Sequence, residues 1–126
     1  MDYRTPLSRV RGLGSAKEGT GHWISQRVTG IALIPLVIWF IFALIWHLGA
    51  THAEMVTWLS NPISATLMTL GIGAGFAHAR IGLQEVIADY IHGEGVKVAA
   101  LLIVNFACWG FAIAAIFSIW KIAFTG

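Results

Sequence analysis

The sequence predicts an all-α membrane protein, with three transmembrane helices behind a cytoplasmic N-terminal arm. Of its 126 residues, 57% are hydrophobic and 11% charged, against about 25% charged in an ordinary soluble domain. Val28–Ala53, Met55–Ala79 and Val98–Trp120 contain no Asp, Glu, Lys or Arg. A span needs about 20 apolar residues at 1.5 Å rise, so each run can hold one span and little else fits. No room is left for a soluble catalytic domain. The chain is therefore not expected to catalyse alone, and redox or hydrolytic chemistry would rest on a cofactor in the bundle or on partner chains.

Two units are expected: a basic arm over residues 1–27 and an anchor domain over residues 28–126. The stretch Met1 to Gly21 is glycine-bearing and aperiodic, and it lacks the apolar core of a secretory signal. The first helix is placed at Val28–Leu48, with Thr20 or Ser25 as a cap and a kink at Pro35, which has no backbone donor. A loop follows over about Gly49 to Pro62. The second helix, Ile63–Tyr90, starts at Asn61-Pro62, proline being suited to a first turn. It is longer than the hydrocarbon core and closes at Gly93-Glu94-Gly95, where glycine tolerates a left-handed cap. The third helix is placed at Val98–Trp120. Cys108 within it reads as a small core residue.

Arg4, Arg9, Arg11, Lys17 and Arg27 precede the first helix, and the first loop has no lysine or arginine. The positive-inside rule therefore puts the N-terminus in the cytoplasm and the C-terminus on the outer side. Trp23 on the inner side, and Trp46, Trp58 and Trp120 on the outer side, suit interfacial belts. A net charge of +2 is ordinary for an inner-membrane protein and does not argue for nucleic acid.

The second helix carries the chemistry. At 100° per residue, Gly71, Gly75, His78, Gly82, Glu85 and Asp89 fall within about 80° of arc. Gly75 and Gly82 flank His78 and clear a shallow trough around its imidazole, as a flat porphyrin requires. A histidine at membrane depth is a functional candidate by default, and imidazole is a common axial ligand of haem iron. Two readings stay open: a haem site, or glycines that serve helix packing while His78 hydrogen-bonds a neighbouring helix. Gly71-Ile72-Gly73-Ala74-Gly75 resembles a nucleotide loop but follows no strand. Its spacing fits close helix approach.

His47 lies at the outer end of the first helix. His78 is roughly 22 Å in from that side if its helix is straight. The two differ too much in depth to share one iron, so a second axial ligand would come from another chain. His47 and His52 read as interfacial residues. Arg27, Asp89 and Tyr90 are expected together at the inner surface. There a cation, an acid and a phenol could stabilise a quinone carbonyl as it is reduced, or simply snorkel. Arg80 points to another side of the helix from His78 and needs water, a carboxylate or a haem propionate.

The word His78-Ala79-Arg80-Ile81-Gly82-Leu83-Gln84-Glu85-Val86-Ile87-Ala88-Asp89-Tyr90 resembles a signature of the smaller haem-binding membrane anchor of succinate dehydrogenase (complex II), in its alphaproteobacterial form. His22-Trp23-Ile24-Ser25-Gln26-Arg27-Val28-Thr29-Gly30 is similar to the start of that family's first helix, and Arg11 to Gly19 to its N-terminal arm. The larger anchor carries a histidine where this chain has Gln26, which favours the smaller one. The resemblance implies that His78 is one axial ligand of haem b, shared with the larger cytochrome b anchor subunit. It implies that Tyr90 and Asp89 contribute to a ubiquinone site near the iron–sulfur subunit, with Arg27 near that site or the haem propionates. A flavoprotein subunit would oxidise succinate. The anchor of a fumarate reductase, and a haem-free structural anchor for soluble partners, are the alternatives.

Overall fold

The computed structural model describes residues 6–7 and 17–126. Expectations that rest on the rest of the arm, including Arg4, Arg9 and Arg11, lie outside the described residues. Among residues 17–126 there are four helices: α1 (Lys17–Trp46), α2 (His52–Ser60), α3 (Pro62–Tyr90) and α4 (Glu94–Thr125).

The first helix starts well before Val28. Thr20 and Ser25 therefore lie inside α1 and do not cap it. Once a helix is nucleated, each added residue gains one hydrogen bond, so the long apolar run can carry the weak formers Gly19, Thr20 and Gly21 with it. The helix continues through Pro35.

The stretch expected to be a loop contains α2. Thr51 is its N-cap: the Glu54 backbone N–H donates to Thr51 Oγ1 at 3.3 Å, and the Thr51 N–H donates to Glu54 Oε2 at 2.6 Å. This is a reciprocal capping box. Asn61 then starts α3 as expected, accepting from the Ile63 N–H at 2.9 Å, with Pro62 in the first turn. The left-handed cap expected at Gly93 is not formed. Gly93 has φ −77° and serves as the N-cap of α4, because the chain leaves α3 at Ile91 in an extended conformation.

α3 is the central helix. It packs on α1 along one side and on α4 along the other, while α2 lies across the ends of α3 and α4. Both long packings are antiparallel. Thr29 meets His78 and Gln26 meets Gly82 between α1 and α3. Arg80 meets Asn105 and Thr69 meets Trp120 between α3 and α4. The start of α1, the end of α3 and the start of α4 therefore share one end of the bundle.

Little is buried. Among the described residues the buried apolar set is Ile81, Ile87, Cys108, Ala112 and Ile119. Cys108 is a free, buried thiol, as expected. Large apolar side chains face outward instead, among them Ile31 at 67% and Phe106 at 70% exposure. A soluble monomer rarely shows so much contiguous apolar surface, and lipid or partner helices are its natural cover. By length and composition, Thr20–Trp46 and Glu94–Thr125 can cross a membrane. The 29-residue α3 is long enough, but Ser64, Thr66, Thr69, its glycines and His78 dilute its apolarity. Those are the residues that small-residue packing and interhelical hydrogen bonds use inside a bundle.

Candidate functional site at the α1–α3 interface

Thr29 is the partner that sequence reading did not single out. Its Oγ1 lies 3.1 Å from His78 Nδ1. The next residue, Gly30, makes room for the ring: a Cβ there would stand 3.3 Å from His78 Cε1. That is tighter than most side-chain contacts, so glycine lets α1 come down on the imidazole edge. His78 does hydrogen-bond a neighbouring helix, as the packing reading asks. Only one ring nitrogen is used; Nε2 makes no hydrogen bond among the described residues.

A groove of about 350 Å³ opens beside the ring. It is lined by Trp23, Gln26, Arg27, Gly30, Ile31, Ile34, His78 and Glu85. Arg27 and Glu85 give it one cation and one acid, and the Arg27 guanidinium lies 5.4 Å from the Trp23 ring centroid. Gln26 Oε1 is buried there without a hydrogen-bond partner among the described residues, and such a group is costly unless something donates to it.

The glycines that flank His78 are partly covered by this chain's own first helix. A Cβ at Gly82 would stand 3.6 Å from Gln26 Nε2, and one at Gly75 would stand 3.9 Å from Leu33 Cδ2. Gly82 thus borders a groove residue, while Gly75 packs under Leu33. At Gly71 a Cβ would meet open space.

The structure corrects the depth expected for Arg27. The register that sets Gln26 against Gly82 puts Arg27 level with Ile81. Asp89 and Tyr90 lie eight or nine residues farther toward the end of α3, roughly 12–13 Å along the axis. α1 begins at Lys17, so Arg27, an exposed side chain, lies ten residues inside a helix it was expected to open, and the α1–α3 register sets its level. Arg27 thus shares a groove with His78 and Glu85. Asp89 and Tyr90 are exposed at the helix terminus, Tyr90 at 77%.

Arg80 points to the α4 side. Its Nη1 donates to Asn105 Oδ1 at 3.0 Å, and its guanidinium stacks near Trp109, so it does not line the His78 groove. At the other end of the bundle His47 hydrogen-bonds the Ala43 carbonyl at 2.8 Å and packs 4.6 Å from the Trp58 ring centroid. Trp58 also stacks on Trp39, so it ties α2 to α1.

The residues around His78 fit a haem. They offer an imidazole with one nitrogen anchored and one unbonded, a glycine where the ring meets α1, and a cation suited to carboxylates. The groove is open on one side, so another chain would have to complete the enclosure.

A family model described as the succinate dehydrogenase/fumarate reductase transmembrane subunit matches residues 1–114. The chain is 30% identical over 119 residues to the succinate dehydrogenase hydrophobic membrane anchor subunit of Paracoccus denitrificans, covering 94% of this chain and 92% of that one. It is 29% identical over 108 residues to the protein of the same name from Rickettsia conorii, covering 85% and 86%. The succinate dehydrogenase membrane anchor subunit of Reclinomonas americana is 25% identical over 92 residues, covering 71% and 77%.

Proposed function

The chain belongs to the succinate dehydrogenase/fumarate reductase transmembrane subunit family, and from that membership we propose that it is the smaller membrane anchor of a succinate:ubiquinone oxidoreductase. It is non-catalytic by itself. It spans the inner membrane three times with the N-terminus in the cytoplasm, and it joins a larger cytochrome b anchor, an iron–sulfur subunit and a flavoprotein. Electrons from succinate leave the iron–sulfur subunit for ubiquinone at the cytoplasmic end of the bundle.

The observation that supports a haem in this anchor is the groove that holds His78 and Arg27 together between α1 and α3. His78 would hold haem b through its free ring nitrogen, with Arg27 pairing its carboxylates, and the larger anchor would supply the other ligand. When bound, the haem supplies one-electron chemistry near the quinone. Gly82 and Gly30 keep the groove clear, and Gly75 seats α1. Arg80, bonded to Asn105 on the α4 side, stands apart from the groove. Asp89 and Tyr90 contribute to the ubiquinone site, where the phenol donates to a quinone carbonyl and Asp89 orients it.

The test is a reduced-minus-oxidised visible spectrum of the assembled complex, with the subunits identified by mass spectrometry. Low-spin b-type absorbance is expected in the wild type and in His47→Ala and His52→Ala, and its loss in His78→Ala. An assembled complex without b-type absorbance would leave a haem-free anchor.

A further inference from the structure

We propose that Thr29 is a positioning residue that fixes which nitrogen of His78 is free to bind metal; the inference rests on the reading of His78 as an axial ligand. A hydroxyl has one proton and two lone pairs. Thr29 Oγ1 lies 2.7 Å from the Ser25 carbonyl oxygen and 3.2 Å from that of Gln26. Both are acceptors only, so the hydroxyl proton is spent on the preceding turn of α1. Toward His78 Nδ1, at 3.1 Å, the oxygen can then only accept. Nδ1 therefore carries the ring proton, and Nε2 carries the lone pair that a metal needs. Gly30 supports the arrangement at the adjoining ring edge. With 3.3 Å between its would-be Cβ and His78 Cε1, the ring edge sits against α1 backbone and has little room to turn. The hydroxyl and the glycine, adjacent in sequence, set the tautomer and the tilt of one imidazole.

The experiment uses the assembled complex. Thr29→Val keeps the shape and deletes the acceptor; Thr29→Ser keeps it. In Thr29→Val, haem should be held about tenfold or more weakly, the usual cost of losing an outer partner of a ligating histidine, and haem per chain should fall. The haem that remains should show a raised midpoint potential, because an imidazole that no longer donates from Nδ1 is a weaker electron donor to ferric iron. Thr29→Ser should restore both. Haem content, potential and ferric EPR unchanged in Thr29→Val would overturn the proposal. If Thr29→Val does not accumulate, proton ENDOR of the wild type and Thr29→Ser, each in H₂O and D₂O, decides. The exchangeable Nδ1 proton of His78 should be present with closely similar coupling in both, because serine keeps the acceptor, and its absence overturns the proposal. His78→Ala is run alongside. If it keeps the low-spin spectrum, the ligand reading itself fails; if it loses that spectrum while Thr29→Val matches wild type, only the role of Thr29 fails.

Discussion

Arg80 donates to Asn105 across the α3–α4 interface at 3.0 Å, with its guanidinium carbon 5.5 Å from the Trp109 ring centroid. A half-buried cation at this depth is held by a neutral amide and an aromatic face. Such a group is expensive to leave unpaired in a bilayer. Asn105→Leu should therefore destabilise the complex by about 1–3 kcal/mol, read as a lowered thermal midpoint in detergent. Arg80→Met combined with Asn105→Leu should recover part of that loss, since replacing both partners removes the orphaned charge. If the double variant is as unstable as the two single losses added together, the pair is not coupled.

The other α3–α4 bond makes a smaller prediction. Trp120 Nε1 donates to Thr69 Oγ1 at 2.9 Å. Thr69→Val leaves the indole N–H without its acceptor, whereas Trp120→Phe removes the donor and keeps most of the ring. A net cost of about 0.5–1.5 kcal/mol is expected for losing the bond. Thr69→Val should lower the thermal midpoint of the complex by more than Thr69→Ser, which retains a hydroxyl; equal midpoints would show that the bond carries no stability.

The capping box of α2 should be sensitive to acid. The Thr51 backbone N–H, then its hydroxyl, donate to the Glu54 carboxylate and hold its pKa below the ordinary carboxylate value; nearby His47 acts in the same direction. A depressed folded-state pKa means that the stabilisation is fully present above the ordinary value and is lost as pH falls through the folded one. Backbone amides at the start of α2 should therefore lose hydrogen-exchange protection in that acid range. Glu54→Gln should flatten the dependence. Protection that follows the same pH profile in wild type and Glu54→Gln would separate the box from the stability of α2.

The charge-free runs located the three long helices, and Asn61-Pro62 marked the start of α3 to within one residue of the placed Ile63. α2 was missed although its signal was present: Thr51-His52-Ala53-Glu54 is a capping box written out in sequence. The start of α1 was not legible, because Gly19, Thr20 and Gly21 are weak helix formers and only continuity with the span carries them. The level of Arg27 beside α3 was not legible either, because it follows from the register that sets Gln26 against Gly82. The partner of His78 was equally hidden. Periodicity puts His78 on a glycine stripe, but which side chain of α1 faces it is set by interhelical register, and a single sequence does not contain that offset. The same holds for Asn105 opposite Arg80.

The separation between Arg27 and Tyr90 gives the last prediction. Arg27 lines the His78 groove, whereas Tyr90 is the exposed last residue of α3, roughly 12–13 Å farther along the axis. The two should therefore affect different readouts. Tyr90→Phe deletes one hydroxyl. In a site that excludes water, the loss of its bond to a quinone carbonyl costs about 1–3 kcal/mol, so ubiquinone reduction should slow roughly tenfold or more. Dye-coupled succinate oxidation, which takes electrons upstream of the membrane, should barely change, and the b-type spectrum should be intact. Asp89→Asn should move activity in the same direction as Tyr90→Phe. Arg27→Gln should instead shift the haem midpoint potential, because it removes a cation beside the imidazole groove, and it should alter the ratio of quinone to dye activity less than Tyr90→Phe does. Measuring that ratio and the potential in the same preparations decides the matter. If Arg27→Gln lowers the ratio as much as Tyr90→Phe and leaves the potential unchanged, Arg27 acts on quinone, and its placement beside His78 carries no functional weight.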